Sequence, residues 1–139
     1  MSIEDRNTEI VRTAFEAWHN CKGGSIDCWM NIMADEIDFR SLADGRDDLA
    51  FTAARRSREE VLGYLQGLME TFEMVHYTVD FYVAQGDRVV AVGSTSWKKR
   101  GTDNHFDTPK VDVIRLSDGK IVEFYEYYDT AMVQGVAAS

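Results

Sequence analysis

The feature that most constrains this chain is a change of period near residue 76. Before it, apolar residues recur every three or four positions, as on a helix face. After it they alternate every second position, as on a strand. The alternating part divides into strands at about 76–84, 88–100, 104–116 and 120–128. Gln85-Gly86-Asp87, Arg100-Gly101-Thr102-Asp103 and Ser117-Asp118-Gly119 separate them as turns. Helices first and an antiparallel meander afterwards predict an α+β fold, not a parallel doubly wound sheet.

The first half supplies three helices. Ile3, Ile10, Val11, Ala14, Phe15 and Trp18 form one amphipathic stripe running to about Cys21, where Lys22-Gly23-Gly24 ends it. Ser25 caps a second helix with Ile26, Trp29, Met30, Ile32 and Met33 as its apolar positions. Glu36 to Leu42 reads as a short strand with Ile37, Phe39 and Ser41 inward. Ala43 to Arg56 is charged and aperiodic, either a solvated connection or a lid. Ser57 and Glu60 make a capping box for a third helix, whose stripe is Val61, Leu62, Leu65, Leu68, Met69 and Phe72.

At 139 residues the chain is expected to be one domain, residues 1–139, large enough for a single hydrophobic core. Its net charge of −9 repels nucleic-acid phosphates and anionic lipid, so neutral molecules or proteins are the expected partners. No apolar run reaches bilayer length and the N-terminus lacks a leader-like stretch, which predicts a cytoplasmic protein. Cys21 and Cys28 lack the paired spacing of a zinc site or redox dithiol and read as reduced packing residues. His19, His76 and His105 have no partner at metal-ligand spacing, so no metal is expected.

The final hairpin carries the chemistry. Strand alternation puts Lys110, Asp112 and Ile114 on one face with Val122, Phe124, Glu126 and Tyr128. A three-residue Ser117-Asp118-Gly119 loop would place Lys110 opposite Glu126, with Asp112 opposite Phe124 and one diagonal step away from Glu126. Two carboxylates that close on an apolar face cannot both ionise freely. One becomes a candidate general acid and the other, held charged by Lys110, a candidate base. The plainer alternative is a cross-strand ion pair at a barrel rim. The opposite face, with Val111, Val113, Arg115, Ile121, Glu123, Tyr125 and Tyr127, is apolar enough to be covered, predicting a homodimer through the outer sheet face.

Three segments, ADEIDFRSL, RRSREEVLGYLQGL and VDVIRLSDGKIVEFYEYYDTA, together resemble the SnoaL-like and ketosteroid-isomerase-like families of the nuclear-transport-factor-2-like superfamily. The resemblance implies a cone-like curved antiparallel sheet wrapped around three N-terminal helices, with a central pocket. It also implies cofactor-independent chemistry on a small, mostly apolar organic molecule: isomerase, cyclase or epoxide-hydrolase-like, or simple binding. Asp112 falls on the isomerases' protonated aspartate. Their proton-shuttling aspartate corresponds to Ser41 and their oxyanion tyrosine to Phe15, so classical steroid isomerisation is not expected. Against the epoxide hydrolases, Lys110, Asp112 and Glu126 match an Arg-x-Asp and a water-activating aspartate, whereas Phe39 and Ser41 replace the water-positioning tyrosine and asparagine.

The expected catalytic residues are therefore Asp112, Glu126 and Lys110. The expected substrate-binding residues are Phe15, Trp18, Met30, Met33, Phe39, Ser41, Tyr64, Leu65, Phe124 and Tyr128, with Trp29 and Phe72 on the same stripes.

Overall fold

The computed structural model describes residues 1–139. Six strands form one curved, unclosed sheet in the order β2-β1-β6-β5-β4-β3, with helices packed over its concave side. The elements are α1 (Ile3–Asn20), α2 (Asp27–Met30), β1 (Met33–Ser41), β2 (Arg55–Ser57), α3 (Arg58–Thr71), β3 (Phe72–Gln85), β4 (Arg88–Lys99), β5 (His105–Ser117), β6 (Lys120–Tyr128) and α4 (Thr130–Ala137). The expected α+β class holds, with two corrections. The sheet is mixed, because β1 runs parallel to β6, pairing Phe39 with Phe124 and Ser41 with Glu126. A fourth helix, α4, folds back after the last strand.

Local sequence explains where the helices begin. Ser2 accepts a hydrogen bond from the Asp5 amide at 3.0 Å, and Glu4 and Asp5 sit favourably in the positive first turn of α1. Val11, Ala14, Phe15 and Trp18 are buried as the stripe requires, while Ile3 is left exposed before the sheet begins. Ser57 caps α3 through the Glu60 amide at 3.1 Å. The Glu60 carboxylate reaches back to the Arg56 amide at 3.0 Å rather than to that of Ser57. Asp129 caps α4 through the Met132 amide at 3.0 Å.

The second helix is shorter than its apolar spacing predicts. It spans Asp27–Met30 with Ile26, not Ser25, at its cap. Met33 opens β1 instead, because pairing with Ile121 and the 2.7 Å bond from the Ile121 amide to the Ile32 carbonyl outweigh local periodicity. No helix is long and apolar enough to cross a membrane.

Register in the last hairpin also departs from expectation. Asp118 (φ 51°) and Gly119 (φ 77°) are both left-handed, the signature of a two-residue type I′ turn, and Ser117 pairs with Lys120. A bulge then inserts Val122, so the pairs become Arg115 with Glu123, Ile114 with Phe124, Asp112 with Glu126 and Lys110 with Tyr128. Ile121 turns inward and is fully buried, contrary to its expected outer position. Asp112 and Glu126 are thus direct neighbours rather than diagonal ones. Alternation runs unbroken through Pro109, so His105 lies on the exposed face of β5, opposite to Lys110 and Asp112.

Gly93 marks the tightest backbone approach. A Cβ there would sit 1.9 Å from the Thr78 carbonyl oxygen, where β3 bulges between Val79 and Phe81 and bends over the helices.

Candidate active site

Lys110, Asp112 and Glu126 converge because β5 presents the first two on one face, two residues apart, and β6 brings the third directly across. All three are deeply buried, at 7%, 1% and 7% exposure, a level that charged side chains reach only when paired. The Lys110 ammonium donates to Asp112 Oδ1 at 2.5 Å and to the Tyr77 hydroxyl at 2.7 Å, and it lies 3.1 Å from Glu126 Oε2. Its three hydrogens each have a destination. Tyr77 also makes a short hydrogen bond to Asp112 Oδ2, and Tyr64 donates to Glu126 Oε1 at 2.6 Å.

The electrostatics follow from that packing. Burial pushes the Asp112 carboxyl up; Lys110 pulls against the shift and Glu126 reinforces it. Burial alone would lower the Lys110 ammonium, but the two carboxylates outweigh it and hold the group above its ordinary value. Tyr77 and Tyr64 are raised well above theirs by burial and by the adjacent carboxylates, so both remain hydroxyl donors at neutral pH. The cluster therefore holds two carboxyl groups for one ammonium, tied by four phenol and ammonium hydrogen bonds and by the Lys110–Glu126 ion pair.

One end of a cavity of about 80 Å³ is formed by this cluster. Lys110, Glu126, Tyr64, Tyr77 and Tyr128 reach its surface. Asp112 does not, and touches the cavity only through Tyr77 and Lys110. The remaining wall is aromatic and aliphatic. Of the residues expected to bind substrate, Phe15, Trp18, Met33, Phe39, Leu65 and Phe124 line it together with Tyr64 and Tyr128, as do Trp29 and Phe72. Met30 packs beside the core without lining it. Ser41 is buried behind Tyr128, its hydroxyl 2.5 Å from the phenol oxygen, which also accepts the Ala43 amide at 3.3 Å. Burial and the Glu126 charge push the Tyr128 phenol up to about 12.

Sequence reasoning missed Tyr77. Its hydroxyl occupies the polar end of the cavity while its ring stacks on Phe15, centroids 5.3 Å apart. The phenol that the first helix lacks at Phe15 is thus delivered from β3. Alternation along 76–84 was the available signal, but it could not say which face of that strand meets Asp112. The aperiodic segment carries no periodic signal for individual residues, yet Leu49, Phe51 and Thr52 close one side of the cavity. That segment is tied to α4 by Asp48 and Gln134, 2.8 Å apart. No group of three His, Cys, Asp or Glu side chains is placed to hold a metal ion.

Comparison with known proteins agrees with this architecture. The family model for the SnoaL-like domain matches residues 11–124. An NTF2-like protein of unknown function from Burkholderia pseudomallei superposes with a TM-score of 0.81 at 19% identity, covering 100% of both chains. A candidate SnoaL-like polyketide cyclase from Jannaschia sp. CCS1 gives 0.77 at 21% identity, over 100% of this chain and 96% of its own. TerC co-crystallised with polyporic acid gives 0.76 at 14% identity, over 96% and 99%. No curated protein matches the sequence. At these identities the structures establish the NTF2-like cone fold, and the family match, which spans well over half the chain, establishes membership: the chain belongs to the SnoaL-like domain family.

Proposed function

We propose that the cavity binds a small, mostly apolar molecule and that the buried cluster performs acid/base chemistry on it without a cofactor, in the manner of an isomerase, cyclase or epoxide hydrolase. One observation carries this reading: two buried carboxyl groups share a single ammonium at the only strongly polar end of an aromatic cavity. An apolar trio of similar volume would serve stability as well or better, so the cluster's cost is explained by chemistry.

Roles follow from position. Glu126 reaches the cavity wall and acts as the base, taking a proton from a carbon acid or from water. The Lys110 ammonium, held beside it, stabilises negative charge that develops on the ligand's oxygen. Asp112 supplies the proton indirectly. In its protonated form it donates to the Tyr77 oxygen, and the Tyr77 proton passes to the ligand; Asp112 is left ionised beside Lys110, and the cycle closes when the proton that Glu126 took passes to Asp112, its neighbour across the hairpin. Phe39 and Phe124, stacked with centroids 5.3 Å apart, offer a flat surface to the apolar part of the ligand. TerC, whose fold this chain shares, was co-crystallised with polyporic acid, which supports a ligand-binding reading of the cavity.

All three tryptophans of the chain, Trp18, Trp29 and Trp97, line the cavity, so their fluorescence reports occupancy directly. A panel of small aromatic ketones, phenols and epoxides is screened by quenching, and binders are then followed for turnover. Glu126→Gln should retain binding and lose turnover; equal turnover in that variant rules out this mechanism.

A second reading, a non-catalytic binding module of the same fold, is favoured by one observation. Ser41 and Phe15 carry no acid and no phenol where the isomerases use them. Saturable binding with no chemistry across the panel would select it. In either case we propose a homodimer through the outer sheet face, where Val111 pairs with Tyr127, 43% exposed, and Val113 with Tyr125, and where Val92 links Val111 to Phe81, 54% exposed. Light scattering at micromolar concentration tests this, and a monomer excludes it.

A further inference from the structure

The turn between α1 and α2 brings the two cysteines of the chain together. The Cys21 and Cys28 thiols both donate to the same atom, the Ser25 carbonyl oxygen, each at 3.7 Å, which keeps the two sulfurs on one side of the turn and within about 7 Å of each other. The intervening turn is tightly wound: Lys22 and Gly23 are left-handed, at φ 51° and 75°, and the Gly24 amide returns to the Cys21 carbonyl at 2.9 Å. Cys21 is exposed and Cys28 half-buried. Burial, and secondly the proximity of Cys21, pushes the Cys28 thiol up to about 11.

We propose that Cys21 and Cys28 form a reversible intramolecular disulfide that fixes the turn between α1 and α2. Spacing in the sequence does not reveal the pair, because the usual redox motif places its cysteines three apart; here the glycine-containing turn does the work of bringing them together. The oxidant is a peroxide or a small-molecule disulfide. With hydrogen peroxide, the exposed Cys21 thiolate attacks the O–O bond and becomes a sulfenic acid, releasing one water after protonation. The Cys28 sulfur then displaces the second oxygen as water, forming the S–S bond. Two thiols are oxidised, one peroxide is reduced and two waters leave. With a small-molecule disulfide, Cys21 forms the mixed disulfide and Cys28 expels the remaining thiol. The raised pKa of Cys28 slows this second step.

The bond has a readout in the cavity. Trp18 and Trp29 sit three residues before Cys21 and one after Cys28, with ring centroids 6.5 Å apart, and both line the cavity wall. Cross-linking their supports alters the wall's mobility at that end.

The test exposes the folded wild-type protein to glutathione buffers of graded poise, then traps free thiols and maps peptides by mass. The expected product is a single polypeptide, not covalently linked to another, lighter by two hydrogens and with Cys21 joined to Cys28. Its formation should be favoured by roughly tenfold or more over the same chain in urea, because the fold holds the sulfurs together. Cys28→Ser should stop at the Cys21–glutathione adduct. Two outcomes overturn the proposal: mixed disulfides or intermolecular dimers as the main products of the folded wild type, or an equilibrium no more favourable folded than unfolded.

Discussion

Asp112 faces Glu126 directly across the final hairpin, and the Lys110 ammonium bridges them, 2.5 Å from one carboxylate and 3.1 Å from the other. Removing the bridge leaves two like charges in a low-dielectric site. Lys110→Met should therefore cost about 3–5 kcal/mol in urea unfolding. Asp112→Asn and Glu126→Gln each remove the excess negative charge and should stay within about 1 kcal/mol of wild type. If all three variants unfold alike, the bridge carries no special charge balance.

The pH dependence of stability has an unusual sign at Asp112. Its folded pKa lies above the unfolded value near 3.8, so the native state holds this proton more tightly. That contribution is complete below about pH 4 and is lost as pH rises through the folded value. Asp112→Asn has no such proton. Measured from about pH 4 to about pH 7, its stability should improve relative to wild type. Lys110 is also raised, so its contribution persists through neutrality and fades only as pH climbs from 10.5 through the folded value. Asp38, at the sheet's outer surface, goes the other way. Despite some burial, hydrogen bonds from Tyr125 and Arg40 lower its pKa, and its contribution is lost on acidification.

Tyr77→Phe separates proton delivery from binding. The ring and its stacking on Phe15 remain, while the link from Asp112 to the cavity is cut. Once a substrate is in hand, kcat should fall by about a hundredfold or more with little change in KM. An unchanged kcat would mean that Asp112 has another route to the ligand.

Gly93→Ala tests the strand geometry that carries Tyr77. The new methyl would meet the Thr78 carbonyl at 1.9 Å, backbone that cannot step aside without disturbing the bulge in β3. A loss of about 3 kcal/mol is expected by chemical denaturation. A variant as stable as wild type would show that β3 and β4 are not packed this closely.

What the sequence made legible was local. The faces of β5, and of β6 from Glu123 onward, could be read because side chains alternate there, and Lys110, Asp112 and Glu126 did come to one face; Ile121 and Val122, beside the bulge, lie on the opposite faces to those that alternation assigns. The pairing could not, because the two-residue turn and the Val122 bulge shift partners without changing any local preference. The parallel contact of β1 with β6 joins residues more than eighty positions apart, beyond the reach of periodicity. Tyr77 was hidden for a similar reason: its relation to Asp112 depends on two strand registers and a bulge. Short α2 shows the reverse case, in which a helical apolar pattern yields to pairing between Met33 and Ile121.

Asp112 and Glu126 act as one electrostatic unit in this reading of the site, and carbon-13 NMR titration of the side-chain carboxyls tests it without a substrate. Asp112 should titrate above the ordinary aspartate range in the wild type and move back down in Glu126→Gln, where the like charge is gone. An Asp112 that titrates in the ordinary range, and at the same pH in both proteins, would contradict it.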